Sequence, residues 1–317
     1  MLRIIKYITT LLLTGFILLL ATPVYDKPLL RIKVINLWKR FQLADFAMLN
    51  EILTERYTIE MNNYRYDMIL DGVAGRRKKT LDPDPKIIKI FYTGESVRPQ
   101  IENYDLSIGF DYIDDPRYMR IPYYHMHYGK AISSSYRPGE CRLRDKTAFA
   151  CFLVSNAGGN NLGRTEGCSA RNRMFHKLSE YQPVQSGGNF LNNQNRVIPK
   201  AETMSFLSQC KFTIAYENTA YAGYITEKPF QAYFAETIPI YYGHETALAD
   251  INKQAIIYAG DFTTEDQLLD YVKKLDQDDA SYCKIWNQQL MNDPEKDYAV
   301  IAEELAGRLY RIIDEKL

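Results

Sequence analysis

From residue 31 onward, short and almost wholly apolar runs alternate with longer stretches whose apolar residues recur every three or four positions. KIIKIFY (86–92), DLSIGF (105–110), FACFLVS (149–155), KFTIAY (211–216) and IPIYY (238–242) read as strands. So do 31–37, 66–73, 183–185 and 255–258. The spacing predicts helices over 43–56, 169–181, 201–209 and 226–236, and a tail helical throughout from Thr264. Strands without an inside–outside alternation, joined by helical crossovers, belong to parallel sheets covered on both faces. A polar stretch over 129–147, with Pro138 and Gly139, divides the pattern in two. At 317 residues the chain is long enough for two cores at roughly 150 residues each. The expectation is a two-domain α/β protein with facing Rossmann-like units.

Charge narrows the partners. Lys plus Arg and Asp plus Glu are each 39, so the formal net charge is 0. No bulk attraction draws such a chain to nucleic acid. The basic run Arg76–Lys79 reads as a solvated loop. The five cysteines, Cys141, Cys151, Cys168, Cys210 and Cys283, include no C-x-x-C pair. Free thiols in a reducing compartment are expected. Residues 8–24 carry no charge and follow Arg3 and Lys6 without an A-x-A cleavage pattern, which reads as an uncleaved single anchor within 1–25. Lys27, Arg31, Lys33, Lys39 and Arg40 outweigh the upstream cations, so the body is expected on the cytoplasmic side of a bacterial inner membrane, with a Golgi-type luminal body as the alternative.

Open parallel sheets bind ligands beyond the carboxyl ends of their strands. That rule selects Thr93-Gly94-Glu95, residues 155–173 and residues 217–228. The last segment, within YENTAYAGYITEK, leads into a helix for which Thr226 suits the N-cap, with Glu227 and Lys228 in the first turn. A lysine there opposes the helix dipole unless an anion lies beside it, and free N–H groups favour phosphate. Gly223 would let the loop approach a ligand closely. Arg171 or Arg173, at a loop–helix junction, could clamp a diphosphate. The ordinary alternatives are an exposed helix start and solvated arginines.

FTIAYENTAYAGYITEKPFQAYFAETIPIYYG (212–243) resembles the donor-binding motif of the α1,3-fucosyltransferases, glycosyltransferase family ten, of bacterial type. FYTGE (91–95) with IGFDYIDDPRYMRIPYY (108–124), and CFLVSN with ARNRMFHKLSEYQPVQSGG, resemble further blocks of that family in the same order. The resemblance covers about residues 87–262. It implies a GT-B-like α/β fold, with an acceptor-binding domain over 26–140 and a GDP-fucose-binding domain over 141–317, preceded by the anchor helix. It also implies an inverting transfer of L-fucose from GDP-β-L-fucose to a GlcNAc-containing, N-acetyllactosamine-type oligosaccharide. By resemblance Glu95 is the general base, and Arg171 and Lys228 hold the diphosphate. Arg171 is preferred to Arg173 because it directly precedes Asn172, as in relatives. Tyr224 donates to the diphosphate, and Asn218 and Glu227 contact ribose and fucose, with Glu227 also supporting positive charge on the sugar.

Relatives often have glycine where Glu236 stands, here expected to be merely exposed. No metal site and no required cofactor are expected, with Mn2+ or Mg2+ at most a stimulant. Asp82 and Asp84, the cluster Asp111, Asp114 and Asp115, and His125 with His127 on one strand face read as structural. A transferase using another nucleotide sugar, or a non-catalytic glycan-binding relative, would keep the same shell.

Overall fold

The computed structural model describes residues 27–74, 80–134, 140–155, 157–158, 166–291 and 293–317. The anchor over 8–24, the basic run over 76–79 and most of the glycine- and asparagine-rich loop before Gly167 lie outside the described residues. Among the described residues no helix is long and apolar enough to cross a membrane.

Two wholly parallel sheets form the frame. The first unit holds β1 (Leu29–Ile35), α1 (Ala47–Arg56), β2 (Thr58–Met61), β3 (Met68–Asp71), β4 (Ile88–Tyr92), β5 (Leu106–Gly109), β6 (Tyr118–Arg120) and α2 (Tyr123–Tyr128). Its strand order is β2-β1-β3-β4-β5-β6. The second unit holds β7 (Ala148–Phe152), α3 (Glu166–Ser179), β8 (Val184–Ser186), α4 (Thr203–Ser208), β9 (Cys210–Tyr216), α5 (Lys228–Phe234), β10 (Ile238–Tyr242), β11 (Ile257–Tyr258), α6 (Glu265–Gln277) and α7 (Asp279–Trp286). Its order is β11-β10-β9-β7-β8. Every residue of β3 and β5 is buried, as strands covered on both faces must be.

Several expectations change. The tail is not one continuous helical run: α8 (Pro294–Lys316) leaves the second unit and returns to the first. Its Leu305, Leu309 and Ile313, spaced four apart on one face, are buried in the first core with Leu49, Ile52 and Ile90. Tyr298 Oη donates to Glu51 Oε2 at 2.7 Å and Tyr310 Oη to the Ile52 carbonyl at 2.7 Å. A boundary at 140/141 therefore misplaces the last helix, because periodicity shows that a face is apolar but not which core receives it.

The segment carrying His125 and His127 is helix α2, not a strand. Two positions apart on a helix, side chains diverge instead of sharing a face. The cysteines are not mostly free. Cys141–Cys283 and Cys151–Cys210 are disulfides, and Cys168 is buried and belongs to neither. Their sequence separations of 142 and 59 residues give no spacing signal; the pairs arise from packing. Glu236 is half-buried with φ 59°, just past α5, where glycine is at ease.

Candidate active site

In each sheet the strand order reverses at one point, between β1 and β3 in the first unit and between β7 and β9 in the second. Loops leaving strands on either side of a reversal diverge and leave a crevice. The two crevices face one another and enclose a cavity of about 420 Å3. All six residues singled out in the sequence, Glu95, Arg171, Asn218, Tyr224, Glu227 and Lys228, line it. A second cavity of about 730 Å3 opens at the ends of β1, β3 and β4; it adjoins the first through Val73 and contains none of the six.

Arg171 lies in the second turn of α3, since the helix begins at Glu166, earlier than expected. Gly167 makes this placement possible: a Cβ there would lie 2.4 Å from the Glu217 carbonyl oxygen and 2.5 Å from that of Asn218. The helix start therefore rests directly on the end of β9, and Cys168 N–H donates to the Asn218 carbonyl at 3.2 Å. Arg171 is 3% exposed and its Nη1 donates to Asn218 Oδ1 at 3.1 Å. Burial pulls its guanidinium below the ordinary value. Arg173, the alternative, is exposed and pairs with Glu265 at 2.8 Å, outside the cavity.

The loop from β9 to α5 is tied by a residue that sequence reasoning missed. Glu217 follows β9 directly and is wholly buried. One of its oxygens accepts from the Thr226 amide at 2.8 Å, and the other from Thr226 Oγ1 at 2.7 Å and Lys228 Nζ at 3.0 Å. Thr226 is thus not an N-cap: Glu227 occupies that position, without a side-chain cap bond, and Thr226 Oγ1 also accepts from Lys228 Nζ at 2.9 Å. The helix α5 has only seven residues, and Lys228, its first residue, lines the cavity. The available signal was a glutamate at a strand end, eleven positions before a lysine; nothing local says they meet.

Burial opposes the charge on Lys228, but Glu217 and Glu227 outweigh it and hold the ammonium above its ordinary pKa. Burial raises the Glu217 carboxyl, against the downward pull of Lys228 and the Thr226 bonds. Lys228 Nζ is also 3.9 Å from Glu227 Oε1.

Tyr224 is 2% exposed, with its ring against Phe110 at 4.9 Å between centroids. Burial, reinforced by the charges of Glu217, Glu95 and Glu227, keeps its hydroxyl protonated and able to donate. Glu95 stands on the opposite wall, exposed, in a turn where Thr93 Oγ1 donates to its carbonyl at 3.0 Å. Gly223, at φ 79°, presses the loop onto the first unit: a Cβ there would lie 2.2 Å from the Phe110 carbonyl oxygen. Arg120, at the end of β6, donates to the Gly223 carbonyl at 3.2 Å and pairs with Asp250 at 2.8 Å.

Among the described residues no three His, Cys, Asp or Glu side chains gather into a metal-holding group. Asp82 accepts from Tyr66 Oη at 2.6 Å, away from the cavity. Two cations thus project from one wall toward a carboxylate on the other. That arrangement can hold a diphosphate and remove a proton from a hydroxyl placed beside it.

Comparison with known proteins places the chain in a family. Residues 143–302 match the model for glycosyltransferase family 10 (fucosyltransferase), C-term, and residues 32–127 match that for the α-(1,3)-fucosyltransferase FucT N-terminal domain. The chain is 31% identical over 294 residues to α-(1,3)-fucosyltransferase FucT of Helicobacter pylori, covering 84% of this chain and 61% of that one. It is 27% identical over 162 residues to 4-galactosyl-N-acetylglucosaminide 3-α-L-fucosyltransferase 9 of Mus musculus, covering 49% and 41%. A crystal structure of α1,3-fucosyltransferase with GDP-fucose superposes with a TM-score of 0.66 at 26% identity, over 90% of this chain and 92% of that one. The chain therefore spans about three fifths or less of the length of these curated relatives.

Proposed function

This chain belongs to glycosyltransferase family 10, and on that premise we propose that it is a fucosyltransferase that moves L-fucose from GDP-β-L-fucose to a hydroxyl of a GlcNAc-containing glycan, forming an α1,3 bond with inversion. The observation that carries the reading is the convergence of Arg171 and Lys228 from the second unit with Glu95 from the first on one cavity. The relatives, one solved with GDP-fucose and another named for a galactosyl-N-acetylglucosaminide acceptor, support the choice of donor and acceptor class.

In this reading the diphosphate lies against Arg171 and Lys228, with Tyr224 donating to it and Asn218 and Glu227 contacting ribose and fucose. The acceptor oxygen attacks the anomeric carbon as the carbon–phosphate oxygen bond breaks. Glu95 takes the acceptor proton, and the electron pair leaves on GDP. A single in-line displacement needs one base and no covalent intermediate. Negative charge builds on the departing diphosphate beside two fixed cations, and positive charge on the sugar near Glu227; such preorganised charge is often the largest catalytic term. The cations do the work that a metal does elsewhere, so the reaction is proposed to need no metal, with Mn2+ or Mg2+ at most stimulating it.

The test is transfer from GDP-fucose to a panel of type 1 and type 2 oligosaccharides, with products read by linkage analysis. GDP-mannose, UDP-galactose and CMP-sialate serve as competing donors. Fucosylation at O3 of GlcNAc is expected; turnover with a different donor would overturn the assignment.

A further inference from the structure

The first-unit wall of the cavity carries Trp38, which has no place in the chemistry above. It lies in the turn after β1, between Asn36 and Arg40, whose φ values are 53° and 68°. The turn brings the indole to the cavity that also holds Glu95 and Tyr123. Buried Phe41 and Phe46 meet the ring edge-on, at 5.1 and 5.6 Å between centroids. Yet 40% of Trp38 remains exposed. Among the described residues, no other exposed large apolar side chain lines this cavity.

An indole left open to water on an ordinary surface needs no explanation. One fixed by two buried rings at the mouth of a cavity rich in charged groups is different. Its flat apolar face matches the C–H face of a pyranose ring, whose hydroxyls then turn to polar neighbours. Trp38 stands on the wall of the base, across from the cations that would hold the nucleotide, which assigns it to the acceptor and not the donor.

We propose that Trp38 is the stacking platform for a pyranose ring of the acceptor glycan, setting the attacking hydroxyl beside Glu95. This rests on reading the cleft as a sugar-nucleotide transferase site.

The chain has two tryptophans. Trp286 is 2% exposed, and its Nε1 donates to the Glu236 carbonyl at 2.8 Å, outside the cavity. Titrating N-acetyllactosamine into the GDP-bound protein should therefore move Trp38 emission with a saturating profile, and Trp38→Phe should abolish that change. In kinetics, Trp38→Leu keeps apolar bulk without a flat face and should raise acceptor KM at least fivefold with donor KM unchanged. Trp38→Tyr should stay closer to wild type than the leucine variant. An emission unmoved at saturating acceptor, or a rise in acceptor KM of less than fivefold in Trp38→Leu, overturns the platform. If a variant does not fold, the wild-type titration decides alone. Thermal-shift binding of GDP, measured separately, tests the parent reading: loss of GDP binding strikes that reading, whereas intact GDP binding and transfer with unmoved emission strike only Trp38.

Discussion

Lys228 Nζ and Glu217 Oε2 lie 3.0 Å apart, and the carboxylate of this pair is wholly buried. The cation assigned to the diphosphate is therefore aimed by a charge that the substrate never meets. Removing one partner of a buried pair strands the other at a cost of about 3–5 kcal/mol, whereas removing both is far less costly. Lys228→Met should lose both GDP affinity and thermal stability. The double variant Lys228→Met with Glu217→Gln should recover most of the stability but none of the affinity. Calorimetric titration with GDP and thermal unfolding separate the two; recovered GDP binding in the double variant would remove Lys228 from the donor site.

Glu95→Gln keeps the shape of the turn and removes the proton acceptor. Loss of a general base typically costs about 10²–10⁴-fold in rate, so kcat should fall by that order while the Kd for GDP stays within about twofold. Transfer at near wild-type rate would take the base role from Glu95.

Gly223 combines a left-handed backbone with a contact across the units. Gly223→Ala should destabilise by about 1–3 kcal/mol from backbone strain, with the clash against the Phe110 carbonyl adding to it. Asparagine tolerates positive φ, so Gly223→Asn would rescue a problem of backbone angle alone. With 2.2 Å to the Phe110 oxygen it should not. Wild-type unfolding of the asparagine variant would show that the two units are not pressed together there.

His125 is 2% exposed, its Nδ1 has no hydrogen-bond partner, and burial, with Arg120 nearby, holds its pKa down to about 3. An unfolded histidine titrates near pH 6.5. Below that pH the unfolded chain binds a proton that the folded chain refuses, so stability falls on acidification, with a slope approaching about 1.4 kcal/mol per pH unit. His127, also lowered by burial, adds the same sign. Between pH 6.5 and 5, before most carboxylates titrate, His125→Gln should flatten the urea-unfolding free energy against pH. An unchanged slope would place the effect elsewhere.

In the proposed mechanism Arg171 and Lys228 meet the leaving group, so transfer should proceed at an unchanged rate in excess EDTA. A loss of more than tenfold, restored by Mn2+, would show that a metal carries part of that charge.

The chain itself determined the parallel α/β class, because apolar runs without alternation have to be covered on both faces. It also picked out strand ends that border one cavity, and the ordered blocks around Glu95, Arg171 and Lys228 pointed to the family. Packing decided the rest. Glu217 gains meaning only when Thr226 and Lys228 fold back over it, and Arg171 is separated from Arg173 only by the face of α3 that meets Asn218. Four cysteines pair across 59 and 142 residues. Helix α8 crosses back to the first core. Local patterns report what a segment prefers within a few residues; these contacts join residues far apart in sequence, and their energy exists only once both sheets stand in place.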